Sequence, residues 1–113
     1  MLPRAKRLTA AREFARIYRT GQSAKSRLFR VSWDTRTPSP RVAVVASRKL
    51  STRAVKRNLA KRRVRAAVAR LFPLLRPVNL VIQLQPLPVD AFAFPVVETE
   101  LRGLLERSGL LKA

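Results

Sequence analysis

The chain has 113 residues, about one domain, and its 47% hydrophobic content suffices for one modest core. Twenty-five Lys and Arg stand against six Asp and Glu, a formal net charge of +19 that exceeds what solubility needs and attracts polyanions. Cys and His are both absent, which excludes disulfides, thiolate metal sites, imidazole general bases and every triad pairing Ser or Cys with His.

The chain start, MLPRAKRLTAAREF, lacks the apolar core of a signal peptide, and no apolar run reaches the roughly 20 residues of a membrane span. A cytoplasmic protein with no membrane partner is expected. From Thr9, a good N-cap, AAREFARIYRT puts Ala10, Phe14, Ile17 and Tyr18 on one stripe, and Gly21 supplies a stop. This predicts a first helix over 10–20. RLFRVSWD alternates, with Phe29, Val31 and Trp33 on one face and Leu28, Arg30 and Ser32 on the other, as in a half-buried strand. After the turn TRTPSP, RVAVVAS is apolar at both parities, as expected of a central strand covered on both sides. RKLSTR leads on, with Ser51 or Thr52 able to cap a second helix.

In AVKRNLAKRRVRAAVAR, Ala60, Val64, Ala67, Val68 and Leu71 share one arc, while Asn58, Arg62 and Arg65 lie nearly opposite and Lys61 and Arg63 on the shoulders. Pro73 and Pro77 end that helix, and VNLVIQL is a further strand. Pro95 opens a last helix that aligns Val97, Leu101, Leu104 and Leu105. The order α-β-β-α-β-α predicts an α/β (α+β) two-layer sandwich with a small sheet, in which the middle helix crosses between two strands that could be parallel. The whole chain, 1–113, reads as a single RNA-binding domain.

The basic helix carries most of the functional argument. Solvated helices usually alternate Glu with Lys or Arg at i,i+4, because like charges there repel by about 0.2–0.5 kcal/mol per pair. Here Arg57 with Lys61 and Lys61 with Arg65 repel, and a phosphate backbone would supply the missing anions. Arginine's planar donors suit phosphate. The strand-like RVAVVAS before this helix argues against a helix-turn-helix, so RNA is favoured and DNA is not an expected partner. Phe14 and Tyr18 could stack on unpaired bases, whereas Phe29 and Trp33 look like core. The acids Glu13, Asp34, Asp90, Glu98, Glu100 and Glu106 form no carboxylate cluster that would hold a catalytic metal. Acting alone, the chain is expected to have no catalytic residues and no metal ligands.

Arg57, Asn58, Leu59, Ala60, Lys61, Arg62, Arg63, Val64 and Arg65 resemble the signature RNRxKRxxR of the protein subunit of bacterial ribonuclease P. RVAVVASRK, the opening RLTAAREFARIYRTGQSAKSRLF, VNLVIQLQP and the final helix extend the resemblance over nearly the whole chain. It implies a ribonucleoprotein whose catalytic RNA subunit performs Mg²⁺-dependent removal of the 5′ leader from precursor tRNA, with Mg²⁺ held mainly by the RNA partner and substrate. By resemblance, Arg48, Lys49, Lys56, Arg57, Asn58, Lys61, Arg62 and Arg65 face the RNA subunit. Phe14, Tyr18, Arg27, Leu28, Arg30 and Ser32 border the groove for the precursor tRNA 5′ leader. The resemblance further implies a small mixed sheet with a left-handed βαβ crossover, against the usual right-handed rule.

Three positions depart from the family pattern: Leu59 replaces a basic residue, STRAV replaces Gly-Asn-Ala-Val, and Ser32 stands where an aromatic is common. The rival reading is a ribosomal or other structural RNA-binding protein without a part in tRNA cleavage, which would share the charge and the aromatics.

Overall fold

Three short apolar segments build the protein around a sheet with two covered faces. The computed structural model describes residues 6–46 and 53–112. In chain order the elements are α1 (Ala11–Thr20), β1 (Gln22–Lys25), β2 (Phe29–Asp34), β3 (Arg41–Val45), α2 (Ala54–Leu71), β4 (Asn79–Leu84) and α3 (Phe94–Arg107). Single 3₁₀ turns occupy Phe72–Leu74 and Val89–Phe92. The strands lie in the order β1-β2-β4-β3. β2 is antiparallel to both β1 and β4, and β3 is parallel to β4, so α2 is the crossover between parallel neighbours.

Phe29, Val31 and Trp33 of β2, Val42 of β3, and Leu80, Ile82 and Leu84 of β4 point to one face. There they meet Ala60, Val64, Ala67, Val68 and Leu71 of α2 and Val97, Leu101, Leu104 and Leu105 of α3. Burying a large apolar side chain of this kind contributes about 1.5–3 kcal/mol, so this sandwich is the main source of stability. The opposite parity, with Val81 buried and Ala43 and Val45 partly so, packs under α1 through Ile17, Leu8 and Phe14 in a much smaller cluster.

Two expectations need correction, and one strand went unpredicted. β1 was not predicted: QSAK is short and mostly exposed, and it is held as a sheet edge by backbone pairing rather than apolar burial. RVAVVAS is an edge strand, not a central one; β4 occupies the centre. The apolar character of β3 reflects cover from the N-terminal segment, where Arg7 bridges to Val42 and the Leu8 amide donates to the Val42 carbonyl at 3.0 Å. Thr9 does not cap α1, whose N-cap is Ala10 without a side-chain hydrogen bond. Ser51 and Thr52 lie outside the described residues, and the N-cap of α2 is Arg53.

Gly21 ends α1 for a reason other than a left-handed turn. Its backbone is extended, but a Cβ there would lie 2.5 Å from the carbonyl oxygens of both Ile17 and Trp33. Glycine lets the end of α1 press onto β2. Gly109 does take a left-handed turn, at φ 73°, just beyond the end of α3.

Candidate nucleic-acid interface

On the α1 side of the sheet, strand register sorts the residues into three rows. Asp34, Asn79 and Arg41 form the first, Ser32, Val81 and Ala43 the second, and Arg30, Gln83 and Val45 the third. α1 stands over this face and leaves a recess on either flank. Toward β3 is an apolar cleft of about 350 Å³, lined by Phe14, Val42, Ala43, Val44 and Val45, with Arg7 and Arg65 supplying cations. Toward β1 and β2 is a polar recess of about 380 Å³ lined by Tyr18, Gln22, Ser23, Arg30, Ser32 and Gln83. The Phe14 and Tyr18 rings, 6.5 Å apart between centroids, belong to one recess each. Tyr18 is 51% exposed; partial burial pushes its hydroxyl pKa up, and the Arg30 charge opposes that shift.

α2 divides its polar residues between two flanks and an outer edge. At about 100° per residue, Arg57, Lys61 and Arg65 follow one another at i,i+4 along the flank that reaches the apolar cleft through Arg65. Burial lowers the Lys61 pKa, and repulsion from Arg65 and Arg57 lowers it further. Arg62 and Asn58 project outward and are exposed. The other flank faces the second 3₁₀ turn and α3: Arg63 donates to the Val89 and Phe92 carbonyls at 3.5 Å, and Arg70 donates to Glu98 at 2.9 Å. Leu59 lies half-buried on that same flank, so the departure at this position leaves no gap in the cationic wall of the cleft.

No carboxylate answers Lys56, Lys61, Arg62 or Arg65 among the described residues. The ion-paired acids are all engaged elsewhere: Glu13 and Asp34 with arginines of α1 and β3, Glu98 with Arg70, and Glu100 with Arg27. Among the described residues no three acids, His or Cys converge on a point that could hold a metal ion.

The structure therefore brings Phe14, Tyr18, Arg30 and Ser32 to one sheet face, with Lys61 and Arg65 along the neighbouring helix. Lys56 and Arg57 lie on α2 as the sequence predicts, one and two residues beyond the exposed Val55, and Arg48 and Lys49 fall outside the described residues. Two groove assignments are corrected. Leu28 precedes β2 and escapes its alternation: the side chain is fully buried in the main core, and its amide donates to Glu100 at 2.8 Å. Arg27 turns toward Glu100 of α3, at 4.0 Å, in the layer opposite α1. Ser32 is itself buried, at the floor of the polar recess rather than its rim. Arg7 and Gln83 went unpredicted. Gln83 had a signal in the sequence, as the one polar residue inside the apolar run LVIQL.

A family model described as Ribonuclease P matches residues 2–109. The ribonuclease P protein component of Symbiobacterium thermophilum is 34% identical over 114 residues, covering 98% of this chain and 97% of that protein. That of Xanthomonas axonopodis pv. citri is 32% identical over 109 residues, covering 96% and 74%. Among solved structures, the Thermotoga maritima RNase P protein superposes with a TM-score of 0.79 at 27% identity, over 89% of this chain and 96% of that one. The Staphylococcus aureus RNase P protein does so at 0.83 and 22%, over 96% and 100%, a likeness of fold. The shared mixed sheet, with its crossover helix carrying the basic signature, and the sequence match along almost the entire length place this chain in the ribonuclease P protein family.

Proposed function

We propose that the two surfaces of α2 divide the RNA binding of this protein. As a member of its family the chain is the protein component of the ribonucleoprotein that matures tRNA 5′ ends, and an RNA subunit is its partner. The outward Arg62 and Asn58 engage the catalytic RNA, whereas the inward Lys61 and Arg65, with Phe14 and Tyr18, border a groove that takes the 5′ leader of precursor tRNA. The observation that carries this reading is that Arg65 and Phe14 line one cleft: a cation for phosphate and an aromatic for a base, on facing elements. Tyr18, Arg30 and Gln83 extend the same face with groups that can stack, bind phosphate and hydrogen-bond a base edge.

The protein's own acids are a poor set for Mg²⁺. Glu13 and Asp34 come together near α1, but arginines occupy both. Mg²⁺ is accordingly assigned to the RNA partner and substrate phosphates. The described residues contain no helix long and apolar enough to cross a membrane. The cytoplasm, where precursor tRNA is met, is the proposed site of action.

Reconstitution tests the proposal. The purified protein alone should leave precursor tRNA intact, and when added to the catalytic RNA at limiting Mg²⁺ it should speed leader removal. Cleavage by the protein alone, persisting after contaminating RNA is removed, would contradict it.

A further inference from the structure

The first row of the sheet face carries a closed ring of side chains. Arg16 of α1 donates to Asp34 through Nε at 2.7 Å and Nη2 at 3.3 Å. Asp34 also accepts from Asn79 Nδ2 at 2.8 Å, and Asn79 Oδ1 accepts from Arg41 Nη2 at 2.8 Å and Nε at 3.1 Å. Arg41 completes the circuit by a two-point contact with Glu13, which lies 3.8 Å from Arg16 on the same helix. Asp34, Asn79 and Arg41 are register partners at the ends of three adjacent strands. Asn79 is fully buried, and no described buried side-chain polar atom lacks a partner.

Among the described residues the apolar contact beneath α1 is small: Leu8, Ile17 and Val81 are fully covered, with Phe14, Ala43 and Val45 partly covered around them, for a helix of ten residues whose tilt and rotation must both be fixed. Apolar contact is also non-directional, whereas forked charge-assisted hydrogen bonds are directional. We infer that the Glu13–Arg16–Asp34–Asn79–Arg41 ring is a positioning device that sets α1 over the sheet, and thereby the shape of both recesses and the placement of Phe14 and Tyr18. Glu13 and Arg16 are positioning residues in this scheme and line neither recess. The inference rests on the leader reading of the groove.

Glu13→Gln and Arg16→Gln separate this role from plain electrostatics, because they change the net charge in opposite directions. The assay is the ratio of affinities of the reconstituted holoenzyme for precursor and mature tRNA, a ratio insensitive to the fraction of protein that is folded. Hydrogen exchange of α1 amides in the free protein is the second readout. Positioning predicts that both variants lose leader discrimination, by about five- to tenfold as for a typical coupling between sites. It predicts faster α1 exchange in both, and partial restoration by Arg16→Lys. Discrimination that rises in Glu13→Gln and falls in Arg16→Gln, or that stays unchanged in both, overturns the inference. Phe14→Ala is the control. If it lowers discrimination while the ring variants do not, only the positioning role fails; if it too has no effect, the leader reading has failed first.

Discussion

Removing Lys61 and Arg65 tests whether the cationic wall of the cleft serves RNA at a cost to the free protein. Arg57, Lys61 and Arg65 form two successive i,i+4 like-charge pairs, and Lys61 feels both neighbours strongly enough to lower its pKa beyond the effect of burial. At about 0.2–0.5 kcal/mol per pair, Lys61→Gln relieves both pairs and should stabilise the free protein by about 0.4–1 kcal/mol at low salt. For a domain of this size that is a rise of about 2–5 °C in melting temperature, shrinking as salt screens the charges. The pH dependence has a definite sign. The folded-state pKa of Lys61 lies below the ordinary lysine value of 10.5, so between the two the unfolded chain binds more protons. Stability should therefore rise with pH through that window, and Lys61→Gln should flatten the rise. Binding should change the opposite way. Lys61→Gln/Arg65→Gln takes two cations away from the phosphate backbone, so the slope of log affinity against log salt should fall by about 1.4–1.8, and the advantage of the unsubstituted protein should shrink about tenfold from 50 to 200 mM salt. Calorimetric melting and filter binding over a salt series check the two halves. An unchanged salt slope, or a lower melting temperature in Lys61→Gln, would refute the reasoning.

Tyr18→Ala should leave the melting temperature almost unchanged, because the ring is half exposed, yet reduce discrimination between precursor and mature tRNA by about 1–3 kcal/mol per stacked base; Phe14→Ala should reduce both, since its ring partly covers the small cluster under α1. Gly21→Ala forces a Cβ against two carbonyl oxygens and should destabilise the protein by at least about 1–3 kcal/mol in denaturant titration. Leu59→Arg places a cation on the α3 side of α2, away from the cleft; general RNA affinity should rise with a steeper salt slope, leader discrimination should stay constant, and stability should fall by no more than about 1 kcal/mol.

α2 and α3 were legible because each carries a complete apolar stripe: Ala60, Val64, Ala67, Val68 and Leu71 are all buried, as are Val97, Leu101, Leu104 and Leu105, whereas α1 buries only Ile17 of its stripe. Phe29, Val31 and Trp33 were legible by strict alternation. β1 was not, because an edge strand held by backbone hydrogen bonds needs no side-chain pattern. β3 was misplaced for a related reason: apolar residues at both parities report cover, and sequence cannot distinguish cover by a neighbouring strand from cover by the Arg7–Leu8 segment. The signature helix located the cations and set Lys61 and Arg63 on its two shoulders, but which shoulder lines the cleft is decided only when α3 and the 3₁₀ turn claim the Arg63 and Arg70 flank. Leu28 failed because the alternation rule was extended one residue beyond the strand. The polar ring had no signal in sequence: Asp34, Arg41 and Asn79 meet through strand register, and Glu13 and Arg16 reach them only through the packing of α1 on the sheet.

The most direct measurement is photo-crosslinking from 4-thiouridine placed at successive leader positions of a precursor tRNA bound to the reconstituted holoenzyme, with the attached peptides identified by mass spectrometry. Leader crosslinks should fall on α1 around Phe14 and Tyr18, on the third row of the sheet at Arg30 and Gln83, and on the Lys61–Arg65 flank of α2. Crosslinks confined to α3 and the Arg63–Arg70 flank, or to the RNA subunit alone, would contradict the assignment of the groove to the leader.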